Sequence, residues 1–278
     1  MTSPDLSPAA AGTAHAVQVV AHRGSSDALP EHTLAAYRRA LAEGADGVEC
    51  DVRLTADRQL VCVHDRTVKR VSDGHGSVSA LTLAQLEAYD FGSWKTGGSG
   101  EGGERHGVLR LESLLELVAD CGRRVDLAIE TKHPVRYRGL VEAELLGTLA
   151  RFGIAGPAGP GADPSGKRPQ ARIMSFSSLA LDRVRRAAPD YARVFLFDRM
   201  LPLRVRPGTS LPGGAGIAGP GIDLVRARPE LVPALRRAGH QVHVWTVDEP
   251  ADVELCLELG VSAIITNRPA QVLARLGR

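Results

Sequence analysis

The sequence predicts a single α/β domain built as a (β/α)8 barrel, and three observations carry that expectation. Its 278 residues lie slightly above the roughly 250 typical of such a barrel. Short apolar, β-branched runs alternate with helical patterns from Val17 to Leu276, the order that joins parallel strands through crossover helices. Polar residues suited to acid–base or metal chemistry fall at the carboxyl ends of those runs, where parallel barrels place catalysis. Length alone equally admits two domains, and a doubly wound open sheet shares the alternation. A count of eight principal strands favours the closed barrel.

The elements follow in order. Val17–Ala21 is an apolar strand, and Thr33–Glu43 a helix. Gly47–Val52 is the second strand, and Gln59–Val63 its hairpin partner across the Thr55–Arg58 turn. Leu111–Asp120 places Leu111, Leu114, Leu115 and Val118 on one helical face. Val125–Glu130 is the next strand, followed by a helix over Tyr137–Phe152. Strands at Arg172–Ser175 and Arg193–Phe197 flank a helix at Leu179–Ala188, and a weaker strand is expected at Gly221–Val225 before a Pro229–Ala238 helix. Val242–Thr246 and Ala263–Thr266 complete the set, each followed by a helix, Ala251–Leu259 and Pro269–Leu276.

The Gly/Pro-rich stretches Ala155–Gln170 and Pro202–Pro220 read as surface loops. Residues 66–107, with a helical run at Leu81–Tyr89 and Trp94, read as an excursion over one end of the barrel. Residues 1–16 read as a disordered Ser/Pro/Ala tail, not a signal peptide, and 17–278 as one domain. No apolar run reaches the roughly 18 residues of a membrane span, so a cytoplasmic protein without membrane insertion is expected. Thirty-four basic and thirty-two acidic side chains leave a net charge of +2, too little to favour nucleic acid or an anionic surface. Cys50, Cys62, Cys121 and Cys256 lack zinc-site or disulfide-framework spacing and read as buried free thiols.

Four strand ends carry the chemistry. His22-Arg23-Gly24 follows the first strand; alone, this is equally a structural pair. Glu49 and Asp51 lie two apart within a strand and so share a face. Burying both ionised is very costly unless a hard divalent cation binds them through oxygen; the alternative is an exposed face paired to Arg53. Glu130 and Lys132 repeat the spacing, either as a third carboxylate with a cation for an anionic substrate or as a simple salt bridge. His64-Asp65 adds a second histidine, so that two groups titrate near neutral pH as acid–base chemistry requires. His75, His106, His133, His240 and His243 read as surface or strand-edge residues.

His22-Arg23-Gly24, Pro30-Glu31, Gly47-x-Glu49-x-Asp51-Val52, His64-Asp65 and Glu130-x-Lys132 together resemble the glycerophosphodiester phosphodiesterases. Val244-Trp245-Thr246-Val247 and Ile264-Ile265-Thr266-Asn267-Arg268-Pro269 are similar to that family's last two strands. The resemblance implies a TIM barrel of the phospholipase C-like type that releases sn-glycerol 3-phosphate and an alcohol from a small glycerophosphodiester, using one Mg²⁺ or Ca²⁺. It implies Glu49, Asp51 and Glu130 as metal ligands, and His22 and His64 as the acid–base pair. Arg23 and Lys132 would hold the phosphate, Glu31 the glycerol side and Trp245 an apolar wall, with residues 66–107 as the family's capping insertion. Two positions depart from the family pattern: His32 stands where Asn is usual before the first helix and is a poorer N-cap, and Asp248 stands where Asn is common. Alternative readings are a lysophospholipase D-like activity and, from another class, a non-catalytic phosphodiester-binding barrel.

Overall fold

The computed structural model describes residues 17–96, 105–156, 168–199 and 210–278. The tail expected at 1–16 and the centres of both Gly/Pro stretches lie outside the described residues. Among the described residues, nine strands run β1 (Gln18–His22), β2 (Gly47–Leu54), β3 (Leu60–Cys62), β4 (Asp126–Thr131), β5 (Ala171–Ser175), β6 (Ala192–Phe197), β7 (Ile217–Pro220), β8 (Gln241–Val244) and β9 (Ala263–Thr266). Eight of them pair in parallel, in the order β1-β2-β4-β5-β6-β7-β8-β9, and β9 returns to β1. The sheet is therefore a closed barrel. β3 is the exception, an antiparallel hairpin partner on the outer end of β2.

Alternation along each strand sorts its residues. Val48, Cys50 and Val52 of β2 face outward into the layer shared with helices α1 (Leu34–Ala42), α4 (Leu111–Ala119) and α5 (Leu140–Arg151). Inside the barrel, Val20, Ala128, Met174, Val194, Leu196, Ile217, Ala263 and Ile265 pack together and fill it. In the second half, α6 (Ser178–Ala187), α7 (Ile222–Ala227), α8 (Leu231–Arg237), α9 (Pro250–Glu258) and α10 (Pro269–Arg275) complete the outer ring. None of the described helices is long and apolar enough to cross a membrane.

The strand expected at Gly221–Val225 is a correction. β7 lies earlier, at Ile217–Pro220, inside the stretch read as a loop, and residues 222–227 form α7. The misleading residues have physical causes. Gly219 faces the barrel interior, where a β-carbon would stand 2.6 Å from Leu196 Cδ2, and Pro220 ends the strand, where its missing N–H is tolerated. Ile222 and Val225 are i and i+3 positions on a buried helical face.

Two histidines also differ from expectation. His240 and His243 are buried, His243 only 3% exposed, because His240 immediately precedes β8 and His243 lies within it, a strand covered on both faces. Cys50, Cys62 and Cys256 are buried free thiols as expected, whereas Cys121 is half-buried.

Residues 66–96 and 105–107 rest over the β2–β3 edge on their own small core of Val61, Val63, Val68, Val71, Val78, Leu86, Phe91 and Val108. They contain two short helices, α2 (Leu83–Glu87), closed by a Thr82–Gln85 capping box, and α3 (Ser93–Thr96). The loop after β1 turns sharply through Arg23 and Gly24, at φ 57° and 84°. A β-carbon on Gly24 would lie 2.6 Å from the Ala36 carbonyl carbon of α1. Gly24→Ala should therefore lower stability by about 1–3 kcal/mol, whereas Gly107→Ala, with open space around it, should change it by no more than about 0.5 kcal/mol. Urea unfolding of both variants measures the contrast; equal stabilities would refute the close-approach account.

Candidate active site

Strand register assembles the site. His22 of β1 lies opposite Glu49 of β2, and Asp51 of β2 lies opposite Glu130 of β4. Inward-facing positions on adjacent strands thus converge at the carboxyl mouth. A cavity of about 240 Å³ opens there, lined by His22, Arg23, Glu49, His64, Glu130 and Lys132 on one side and by an apolar wall that includes Trp245 on the other. Asp51 lies beneath this lining, fully buried. Glu31 stands behind Arg23, accepting from its Nη1 at 3.1 Å.

The carboxylates form a compact triad: one oxygen each from Glu49, Asp51 and Glu130 lies within 4.8 Å of the others. All three are buried, so the exposed-face alternative for β2 does not hold. Lys132 Nζ lies 2.8 Å from Glu130 Oε2 and 3.0 Å from Asp51 Oδ1. The salt bridge weighed as an alternative therefore exists, but it is part of a larger cluster. Arg23 Nε lies 2.9 Å from Asp51 Oδ2.

Electrostatics divides the triad. Burial alone would raise Asp51, but Lys132, Arg23 and His32 outweigh it and hold that carboxyl well below its usual range. Burial and the neighbouring Asp51 charge push Glu49 well up and Glu130 up to about 8. Two cations do not suffice for three carboxylates. Lys132 Nζ must moreover serve both Asp51 Oδ1 and Glu130 Oε2. An all-oxygen donor set with residual negative charge fits a hard divalent cation, which would keep all three groups ionised.

Each histidine is oriented by a partner. His22 Nδ1 lies 2.7 Å from Asn267 Oδ1, and Asn267 Nδ2 donates to Asp248 Oδ2 at 2.6 Å. That second bond fixes the amide, so its oxygen faces the ring and His22 carries its proton on Nδ1, leaving Nε2 as an acceptor. Burial and then the Arg23 charge lower His22 to about 3, keeping it neutral. His64 Nδ1 instead lies 2.7 Å from the Asp65 carboxylate, and Arg53 donates through Nε and Nη2 to the His64 carbonyl at 3.1 and 2.7 Å.

Several functional neighbours are not evident from the sequence. Arg70, from the segment that follows β3, bonds Glu31 Oε1 and Oε2 at 2.7 and 2.8 Å and Asp65 Oδ2 at 2.6 Å. Burial would raise Glu31, yet Arg70 and Arg23 bring it down to about 2. His32 does not cap α1; Thr33 does, its side chain accepting from Ala36 N at 3.2 Å. The His32 ring turns inward, Nε2 lying 3.0 Å from Asp51 Oδ2 and Nδ1 2.8 Å from the Tyr37 hydroxyl. Asp248 is tolerated in a specific sense: it is the residue that holds Asn267.

The fold and this site define an enzyme of the (β/α)8 class built to act on an anionic substrate. The model of the glycerophosphoryl diester phosphodiesterase family matches residues 22–271, and the chain belongs to that family. It is similar to the Mycobacterium tuberculosis protein named "Probable glycerophosphodiester phosphodiesterase 1", 48% identical over 261 residues that cover 93% of this chain and 92% of that one. Among solved structures it is similar to a glycerophosphodiester phosphodiesterase from Agrobacterium tumefaciens (26% identity, TM-score 0.71, covering 93% of this chain and 100% of that one). An Oleispira antarctica phosphodiesterase in complex with the product sn-glycerol-3-phosphate shares the fold (23% identity, TM-score 0.77, covering 94% and 97%).

The Asn267 contact yields a prediction. Asn267→Leu removes the acceptor that sets the His22 tautomer, and kcat should fall by roughly 10–100-fold with the circular dichroism spectrum retained. An unchanged kcat would show that His22 needs no such orientation.

Proposed function

We propose that the chain hydrolyses glycerophosphodiesters to sn-glycerol 3-phosphate and an alcohol, with a divalent cation, Mg²⁺ or Ca²⁺, on Glu49, Asp51 and Glu130 and with His22 and His64 as the acid–base pair. The observation that carries this reading is the convergence of two differently partnered histidines, a buried carboxylate triad and two fixed cations round one cavity. When bound, the cation supplies Lewis-acid neutralisation of the phosphoryl oxygens.

The protein's own groups do the rest. A phosphodiester is anionic and repels nucleophiles, so Arg23 and Lys132, held by the carboxylates at the cavity wall, offset its charge as more charge develops. His22, neutral and with Nε2 free to accept, is placed to take the proton of the attacking oxygen. Burial, helped by the Lys132 and Arg23 charges, lowers the His64 pKa although Asp51 and the Asp65 hydrogen bond oppose it; oriented by Asp65, the ring in its protonated form is placed to donate to the leaving alkoxide. Glu31, clamped by Arg23 and Arg70, stays ionised beside the cavity and suits a sugar-alcohol hydroxyl.

His22→Ala and His64→Ala should each lower kcat by roughly 10²–10⁴-fold in an assay of glycerol 3-phosphate release; near-wild-type turnover would remove that residue from the acid–base role. Excess chelator should abolish activity and added Mg²⁺ or Ca²⁺ restore it. Full turnover in chelator would sink the metal site while leaving the histidine roles open to the first test.

A further inference from the structure

The two walls of the cavity are unlike. Opposite the charged wall stand Phe176 and Trp245, each just beyond the end of its strand, β5 and β8. Their rings meet edge to face, centroids 5.5 Å apart at 81°. Trp245 is fixed by its indole N–H, which donates to the Gly219 carbonyl at 2.8 Å. Phe176 remains 43% exposed, a large apolar surface kept at the edge of a polar site. Asp198, the residue after β6, lines the same wall.

Gly221 shows how near the carboxylate-bearing residue and the indole stand. A β-carbon there would lie 3.6 Å from both Trp245 Cζ2 and Cη2 and 3.7 Å from Asp198 Cβ. Asp51 and Glu130 are paired with Lys132, but Asp198 makes no ion pair or hydrogen bond among the described residues. The wall thus offers aromatic faces and one uncompensated negative charge, across the cavity from the cations that suit a phosphate.

We propose that Phe176, Trp245 and Asp198 form the subsite for the alcohol moiety and select an alcohol that carries an ammonium group, of the choline or ethanolamine class. The proposal rests on the phosphodiesterase reading above and names its head group. An ammonium is drawn to aromatic faces and to the Asp198 carboxylate, whereas a neutral polyol head gains neither interaction. A head group with net negative charge is repelled, so the same residues discriminate by repulsion as well as attraction. A diester with an anionic phosphate and a cationic head then matches both poles of the cavity.

The test compares kcat/KM of the metal-supplemented enzyme on glycerophosphocholine, glycerophosphoethanolamine and glycerophosphoglycerol. The two cationic substrates should be favoured by roughly 3–30-fold over the neutral one. Asp198→Asn, isosteric and exposed, should lower that ratio by roughly 3–10-fold, and Phe176→Leu should lower it through loss of the ring face. Equal kcat/KM across the three substrates, or a ratio unmoved in both variants, overturns the head-group proposal and leaves the phosphodiesterase reading intact. Hydrolysis of none of the three overturns both.

Discussion

The constraint on which the site depends is charge balance at the barrel mouth. Three carboxylates are buried within one cluster, and among the described residues only Lys132 and Arg23 lie at ion-pair distance from their oxygens as permanent cations. A buried charge without a partner is expensive, so the cluster persists as a demand for further positive charge. A divalent cation and the approach of charged groups to the mouth both answer that demand. The imbalance is also local. With a net charge of +2 over 278 residues, the molecule exerts little long-range pull, and recognition of an anion rests on groups a few ångströms apart.

Around that cluster, residues from different elements fix several of the groups that line the cavity. His22 at the end of β1 is oriented by Asn267, the residue after β9, which is held in turn by Asp248 beyond β8. Glu31 and Asp65 are joined by Arg70 from the segment that follows β3, so that segment is tied electrostatically to the loops after β1 and β3. Such cross-element bonds hold geometry that single loops do not, because closing the barrel fixes the relative positions of all strand ends.

Much of this was legible in the sequence because strands obey a period of two. Glu49, Asp51, Glu130 and Lys132 declare a shared face by spacing alone, and the parallel order places that face at the carboxyl mouth. What stayed hidden depends on contacts between distant segments. Arg70 reads as one surface arginine among many, and Asn267 reads only as the end of a strand motif; neither carries a local signal of its partner. β7 was hidden for the opposite reason. Its residues, Ile217-Ala218-Gly219-Pro220, are chosen by packing against Leu196 and by a strand end, and their composition is that of a loop.

His32 shows how a departure from a family pattern is absorbed. The backbone there is left-handed, φ 58°, a conformation in which Asn, Asp and His are the least disfavoured residues with a β-carbon. The capping duty falls to Thr33, so the substitution costs the helix nothing. The longer imidazole instead spans from Asp51 to the Tyr37 hydroxyl, which itself lies 2.9 Å from the Glu49 carbonyl oxygen. Tyr37 donates its one hydroxyl proton to that carbonyl, and since ionised Asp51 only accepts, His32 Nε2 carries a proton towards Asp51. One neutral side chain thereby braces the Asp51 carboxylate of β2 against α1, through the oxygen that Lys132 does not touch. A group that donates without adding charge steadies the cluster and leaves its demand for a cation in place.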